Sequence, residues 1–402
     1  MPSRSEPTPL ALLLGERIRS CGPITFSEYM EACLYHPVHG YYTQAEQQPR
    51  RDYFTSVDAN PLFGRLLGRQ FQEMWCALGR PDSFWLVEAG AGTGQLAKQI
   101  LDFAFESLPD FYAALHFIAV ERSWSRRALQ SNALEAHIAR GKVASLEGLP
   151  DRITCGCIFS NELIDAMPVH RVTGDGNHLR EIYVGLGMHG LCDEIRSPSS
   201  AALREYFAEQ NIHLDQGQQA EVNLCACRWI EEVGKKLERG FVVTIDYGHE
   251  AEELYDQRHM RGTLLAYQRH RVTEDFFRAA GEQDLTAHVN FTSLDLRGRQ
   301  SGLIRTGFTS QSKFLLALAR HGNFADLQSD ELSEAENMQR RLLFKTLITP
   351  EGMGETFQVL IQHKGTERPD LAGLQPLSSA RIKGVSSTPA CLDQRRRGRL
   401  RT

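Results

Sequence analysis

Phe84-Trp85-Leu86-Val87-Glu88-Ala89-Gly90-Ala91-Gly92-Thr93-Gly94-Gln95-Leu96 is the stretch on which the fold turns. An apolar run ends in a carboxylate at Glu88, and three glycines then alternate with small residues. Apolar residues recur at Leu96, Ile100, Leu101, Ala104, Phe105 and Leu108, the spacing of one helix face. The stretch reads as strand, tight turn and helix, and a turn without Cβ atoms lets its backbone approach a ligand closely. The dinucleotide fingerprint G-x-G-x-x-G fails here, because counting from Gly90 its third glycine falls on Gln95. A Walker loop also fails, for no Lys and Ser/Thr follow the last glycine.

The spacing E-x-G-x-G-x-G instead resembles the first motif of class I S-adenosylmethionine (SAM) methyltransferases. That resemblance implies that Gly90, Gly92 and Gly94 admit the methionine half of the cofactor, with Glu88 below its amino group. The alternative for Glu88 is a buried hydrogen-bond hub, although a carboxylate left unpaired there would be costly. The run from His116 to Val120 reads as the next strand and ends at Glu121. In a doubly wound sheet, an acid at the second strand tip is placed to accept hydrogen bonds from ribose hydroxyls.

The 402 residues suffice for one large or two modest domains, and 42% apolar with 24% charged residues is ordinary for a globular chain. A net charge of −5 argues against a general nucleic-acid binder. No apolar run approaches the ~18 residues that span a bilayer. The run 10–14 is too short for a signal-peptide core, so a cytoplasmic location is expected. The nine cysteines are scattered, which suits reduced thiols, and no zinc site is expected from Cys155/Cys157 or Cys225/Cys227.

Residues 1–9 read as disordered, 10–18 as a helix, and 25–34 as a second helix capped by Thr25 or Ser27 and ended by His36-Pro37. The aromatic-rich stretch around His36, His39 and Gly40-Tyr41-Tyr42 reads as a packing unit rather than a metal site. A helix follows through Leu66, Leu67, Phe71 and Trp75. After Glu121, residues 123–139 read as a helix, 142–146 as the third strand and 157–161 as the fourth. The glycines between 171 and 190 suggest a β-hairpin, and 197–239 reads as a mainly helical insertion. Residues 241–246 form the fifth strand, continuously apolar as burial on both faces requires. Helices are expected over 311–321 and 329–341 and a closing strand over 357–361. From about 366 onward the chain reads as a disordered tail ending in a basic run.

Several segments carry a more specific resemblance: Leu34-Tyr-His-Pro, Gly40-Tyr-Tyr, Phe54-Thr-Ser, Asn161-Glu-Leu-Ile-Asp-Ala-Met-Pro-Val-His170, Asp246-Tyr-Gly248, Gly262-Thr-Leu-Leu-Ala-Tyr-Gln-Arg-His270 and Gln283-Asp-Leu-Thr-Ala-His-Val-Asn290. Together they resemble the MidA-like family, which includes the mitochondrial complex I assembly factor that methylates a protein arginine. The resemblance covers roughly residues 10–363. It departs at Val57, where Pro is usual, and at Asn290, where an acid is usual. The fold it implies is α/β, a Rossmann-like SAM methyltransferase sheet over 81–365. A helical segment over 10–80 packs on that sheet, and the helical insertion precedes the fifth strand.

Methyl transfer to arginine has one physical obstacle: the guanidinium stays charged, with a pKa above ~12. Carboxylates must fork onto it and orient one nitrogen. Acids are therefore expected at the carboxyl ends of strands four and five, where open α/β sheets bind ligands. Glu162 and Asp165 are expected to hold the guanidinium and Asn161 to align the reacting nitrogen and adjoin the cofactor. Glu221 is expected to reach the same mouth, with Asp246, Tyr247, Tyr267, His270 and His288 lining the pocket or taking up a proton. Against these stand plain structural roles: Asp165 as a cap of the turn before Pro168, and His270 and His288 as satisfied core histidines. Glu147 is the position where methyltransferases place an adenine-contacting polar residue, and a solvated turn is its alternative. The expected activity is SAM-dependent methylation of a protein arginine, on a respiratory NADH dehydrogenase subunit or a related protein. Small-molecule methylation and a SAM-binding assembly factor without turnover are the rivals.

Overall fold

A computed structural model of the chain describes residues 6–43, 61–176, 178–268, 271–324, 327, 333–349 and 356–377. Strands are numbered along the chain. The central sheet runs β15 (Ile304–Ser310), β16 (Phe357–Lys364), β10 (Gly240–His249), β5 (Gly156–Asn161), β2 (Phe84–Ala89), β3 (Leu115–Val120) and β4 (Val143–Leu146). The five strands from β10 to β4 are parallel, β16 is antiparallel to both its neighbours, and the short β14 (Val289–Asn290) pairs with the end of β10. From β2 the chain steps outward to β3 and β4, then returns to β5 on the other side. Strand order thus reverses between β2 and β5, and the crevice outside their carboxyl ends is where such sheets bind ligands.

Both faces of this sheet are covered, which is why its strands are apolar throughout. The helices Pro61–Ala77, Gln95–Ser107 and Gln311–His321 bury Leu66, Phe71, Ile100 and Phe314 with Phe117, Phe159 and Val243 on one face. The helices Leu224–Lys236 and Phe291–Gln300 bury Ile230, Val233 and Leu294 with Val87, Ile158 and Val242 on the other. Phe71 and Phe159 meet with ring centroids 4.8 Å apart. Each such ring contributes about 1.5–3 kcal/mol by leaving water.

A second sheet stands beside the first: β1 (Ile24–Thr25), β7 (His178–Gly187), β6 (His170–Asp175) and β9 (Gln219–Val222), with β8 (Gly190–Arg196) on β7. A third joins β12 (Arg271–Thr273), β11 (Leu265–Gln268) and β13 (Asp284–Thr286). The N-terminal helices Pro9–Cys21 and Phe26–Tyr35 pack where these two meet, burying Leu14, Phe26, Tyr29 and Met30 with Val184 and Leu285. Thr25 starts the second helix through a capping box: its hydroxyl accepts from Glu28 N (3.2 Å), and Glu28 accepts from Thr25 N (2.9 Å). The Arg171 guanidinium lies 5.1 Å from the Phe26 ring and 5.0 Å from Phe276, fastening that helix to the small sheets.

Several expectations need correction. Residues 6–9 are not disordered, because the buried Thr8 caps the first helix and donates its hydroxyl to Ala280 O (2.8 Å). Residues 366–377 pack on the domain, since Leu371 and Ala372 are buried in the main core and Ala372 N donates to Glu73. The helix over 123–139 breaks at Leu134 into Trp124–Ala133 and Glu135–Ile138. The hairpin is a three-stranded meander, β6 to β8. Residues 197–239 hold Ala202–Ala208, β9 and Leu224–Lys236, so a strand interrupts the helical insertion and completes the second sheet. The helix expected over 329–341 is Glu334–Ile348, set by a capping box of Ser333 and Glu336. Cys21, Cys33, Cys155, Cys157, Cys192, Cys225 and Cys227 are free thiols. Phe54-Thr55-Ser56 and the rest of the tail lie outside the described residues.

Candidate active site

The glycine turn rides on the tip of β3. The N–H groups of Gly90 and Ala91 both donate to Val120 O at 2.9 Å, and Gly92 N donates to Glu121 Oε2 at 3.0 Å. Gln130 Nε2 holds the Gly92 carbonyl from the other side at 2.9 Å. Gly90, Gly92 and Gly94 all have positive φ, at 76°, 52° and 84°. A Cβ on Gly90 would lie 2.9 Å from Leu163 Cδ1, and one on Gly94 would lie 3.2 Å from Leu134 Cδ1. A Cβ on Gly92 would meet nothing within 4 Å, so this is the residue whose missing side chain leaves open space.

Two acids stand at the tips of β2 and β3. Glu121 accepts from Gly92 N and, at 2.8 Å, from Ser123 N, which fixes its carboxylate at the tip of β3. Glu88 is buried in β2, and its Oε2 has no hydrogen-bond partner. Burial, with repulsion from Glu121 added, pushes its pKa up to about 8. On the neighbouring strand, Asn161 Oδ1 is likewise buried without a partner. Glu88 pairs in register with Phe159, so Asn161, two residues on, projects from the same face of the sheet. Two orphaned acceptors at adjacent strand tips fit an ammonium group, which brings three donors. A ribose diol fits Glu121, whose oxygens keep lone pairs free beyond the two N–H bonds. Glu147 is not brought in: its side chain is 76% exposed and paired only with Arg127 at 3.5 Å, the solvated alternative.

At the carboxyl ends of β5 and β10 the acids divide into two kinds. Glu162 has φ +53°, strained for a residue with a Cβ, and its Oε1 accepts from Asn161 Nδ2 at 3.1 Å. Asp165 is buried, accepts from the Tyr247 hydroxyl, and leaves Oδ1 without a partner. Burial raises its pKa to about 6. Asp246, by contrast, is spent on structure. Its Oδ2 accepts from Ile164 N (2.9 Å), Leu163 N (3.2 Å) and Asp165 N (3.4 Å), and its Oδ1 from Tyr247 N (2.9 Å). It holds the turn that presents Glu162 and Asp165 and does not line the pocket.

Glu221 is also a correction. It sits on β9, not on a helix, and its carboxylate accepts from Thr263 N (2.8 Å) and Thr263 Oγ1 (3.0 Å), which ties down the loop after Gly262. His288 packs against Tyr247 and His249 with centroids 5.6 and 5.5 Å away. Burial, reinforced by His249 and His259, lowers its pKa to about 4, so it stays neutral and is a weak proton acceptor. Asn290 caps the helix Phe291–Gln300 through Ser293 N, a role that needs no charge. His270 lies outside the described residues. His36 Nδ1 accepts from Val38 N and His39 N, a packing role. Among the described residues no cluster of His, Cys, Asp and Glu is arranged to hold a metal, and no helix is long and apolar enough to cross a membrane.

The reading by sequence missed Gln130, which braces the turn, and Asp284, whose two oxygens accept from the Tyr42 hydroxyl at 2.9 and 3.0 Å. Asp284 lies within the 283–290 segment, where nothing local marks its bond to Tyr42.

Known proteins resemble this chain along most of its length. Residues 66–309 match a family model described as S-adenosyl-L-methionine-dependent methyltransferase. A crystal structure from Burkholderia thailandensis bound to S-adenosyl-homocysteine is 30% identical with a TM-score of 0.81, covering 92% of this chain and 97% of that one. The human mitochondrial protein arginine methyltransferase NDUFAF7 is 28% identical over 90% of this chain and 86% of its own length. Its Drosophila melanogaster homologue is 26% identical over 89% and 85%. With a family model spanning more than half its length, the chain belongs to the S-adenosyl-L-methionine-dependent methyltransferases, with SAM as its cofactor.

Proposed function

We propose that this methyltransferase acts on an arginine of a protein substrate. Relatives at 26–28% identity carry that activity in their names. The observation that carries the reading is a set of three buried acceptors without donors at the tips of β2 and β5 and in the turn after β5: Glu88 Oε2, Asn161 Oδ1 and Asp165 Oδ1. Such atoms are costly to bury unless a donor-rich ligand arrives. In this proposal Glu88 takes the cofactor's ammonium and Glu121 its ribose. SAM, when bound, supplies an activated methyl group on a sulfonium. Glu162 and Asp165 fork onto the guanidinium, and Asn161 orients the attacking nitrogen. Asp165, with a pKa of about 6, is ionised at neutral pH and takes the proton that methylation releases.

The Glu88 assignment gives a proton count. Its pKa is raised from 4.5 to about 8, so between those values the free protein keeps this carboxyl protonated. An ammonium partner favours the carboxylate and lowers that pKa, so SAM binding in this window releases up to one proton. Calorimetry in buffers of different ionisation enthalpy should detect the release, and Glu88→Gln should abolish it. Equal heats in all buffers for the unaltered protein would remove Glu88 from the cofactor site.

The target within this reading is a subunit of a respiratory NADH dehydrogenase or a related protein. The cytoplasmic location belongs to the same proposal, and cell fractionation tests it, because the relatives named are mitochondrial. Incubating cell extract with labelled SAM and mapping methylated peptides by mass should show arginine. Enrichment of methyl-lysine or of methylated metabolites would overturn the substrate. Glu162→Gln should lose methylation and keep SAM affinity. If cells carrying this variant behave as wild type, scaffolding without turnover replaces catalysis.

A further inference from the structure

Asp284 lies on β13, far along the chain from Glu162 and Asp165, yet the third sheet delivers it to the same place. Three contacts bring it there. Ala287 N donates to Asp165 O at 3.1 Å, docking the end of β13 on the turn after β5. Tyr267 stands directly opposite Asp284 in the β11–β13 pairing, which puts both side chains on one face. Thr286, two residues on and therefore on that same face, bonds to Tyr247, whose hydroxyl donates to Asp165.

The N-terminal segment closes the arrangement. Tyr42 donates its hydroxyl to Asp284, and Tyr35, with its ring 5.6 Å from that of Tyr42, donates its hydroxyl to Ala166 O at 3.0 Å. Repulsion from both Asp165 and Asp284 helps to raise the pKa of Tyr35 and of Tyr267, after burial, so the two acids flank the same two phenols. Between them, Asp165 Oδ1 is buried with no partner. Carboxylates framed by tyrosine rings suit a planar cation that stacks and forks at once.

We propose that Asp284 is a substrate-binding residue, the second carboxylate of the guanidinium site opposite Asp165, and that Tyr42 holds it in place. This rests on the arginine reading and adds a residue to it. Asp284 sets the preference for a charged guanidinium, while Glu162 and Asn161 act on the nitrogen that accepts the methyl group.

The test uses the full chain and a synthetic peptide carrying the arginine mapped with labelled SAM, alongside the same peptide with neutral citrulline in its place. Asp284→Asn should raise the KM for the arginine peptide about 10–100-fold, the range of a lost charge-assisted hydrogen bond. It should leave SAM affinity unchanged and should narrow the ratio of citrulline to arginine affinity. Tyr42→Phe keeps the carboxylate and removes only its donor, so that ratio should survive with a KM change of less than about 5-fold. A merely structural Asp284 would lower the folded fraction and leave the ratio alone, and that result overturns the proposal. Should wild type label no arginine at all, the arginine reading falls and this inference falls with it. Labelling by wild type with an unaltered ratio in Asp284→Asn ends this inference only.

Discussion

Gly92→Val should abolish SAM binding while the protein stays folded. The turn cannot move away from the new side chain, because the Gly92 N–H is held by Glu121 (3.0 Å) and its carbonyl by Gln130 (2.9 Å). At φ +52° a residue with a Cβ costs roughly 1–2 kcal/mol, which a domain of ordinary stability survives. The branched side chain enters the one gap that the turn leaves open, since a Cβ there has no neighbour within 4 Å. Affinity measured by calorimetry should fall at least about 100-fold, or ~2.7 kcal/mol. Gly79→Val is the control. That glycine has φ +83° and equally open surroundings, but it precedes β2 at the other end of the sheet, so it carries the strain without the blockage. Loss of binding in both variants, or in neither, would mean that the crevice has been misplaced.

Asp246→Ala should be the most destabilising single change in the site. It removes the acceptors for Leu163, Ile164, Asp165 and Tyr247 N–H groups at the end of β5 and β10. An orphaned buried donor costs about 1–3 kcal/mol, so even two of the four left unpaired cost about 3 kcal/mol. Denaturant unfolding reads this loss directly. Methylation should vanish as well, because the same turn holds Glu162 at its strained φ of +53° and aims Asp165. SAM affinity should suffer less, for the glycine turn is braced separately from β3 and Gln130. A variant as stable as wild type with methylation selectively lost would return Asp246 to the pocket lining.

Expectation and structure part company at identifiable residues. The positions of Glu88 and Glu121 were legible because each is an acid at the end of a buried strand, Glu88 directly before the glycine turn. Asp246 has the same local signature, an acid ending a strand, and its role came out differently. What decided it was the convergence of three N–H groups from residues 163–165, more than eighty positions earlier in the chain. Glu221 failed similarly: it looked like part of a helix reaching the mouth, whereas β9 pairs with β6 and turns its carboxylate to Thr263. Asp284 went unremarked inside a motif, since it meets Tyr267 only through strand register and Tyr42 only through a hydrogen bond across 242 positions.

Periodicity, glycine spacing and strand-ending acids determined the Rossmann-like sheet, its order of elements and the glycine turn after its first strand. All of these are short-range: one strand, one bend and one helix face encode them within a dozen residues. Which acids remain available for chemistry was settled by the tertiary structure alone. A carboxylate's role depends on whether backbone N–H groups from distant segments consume its lone pairs, as they do at Asp246, or leave a buried oxygen without a partner, as at Asp165.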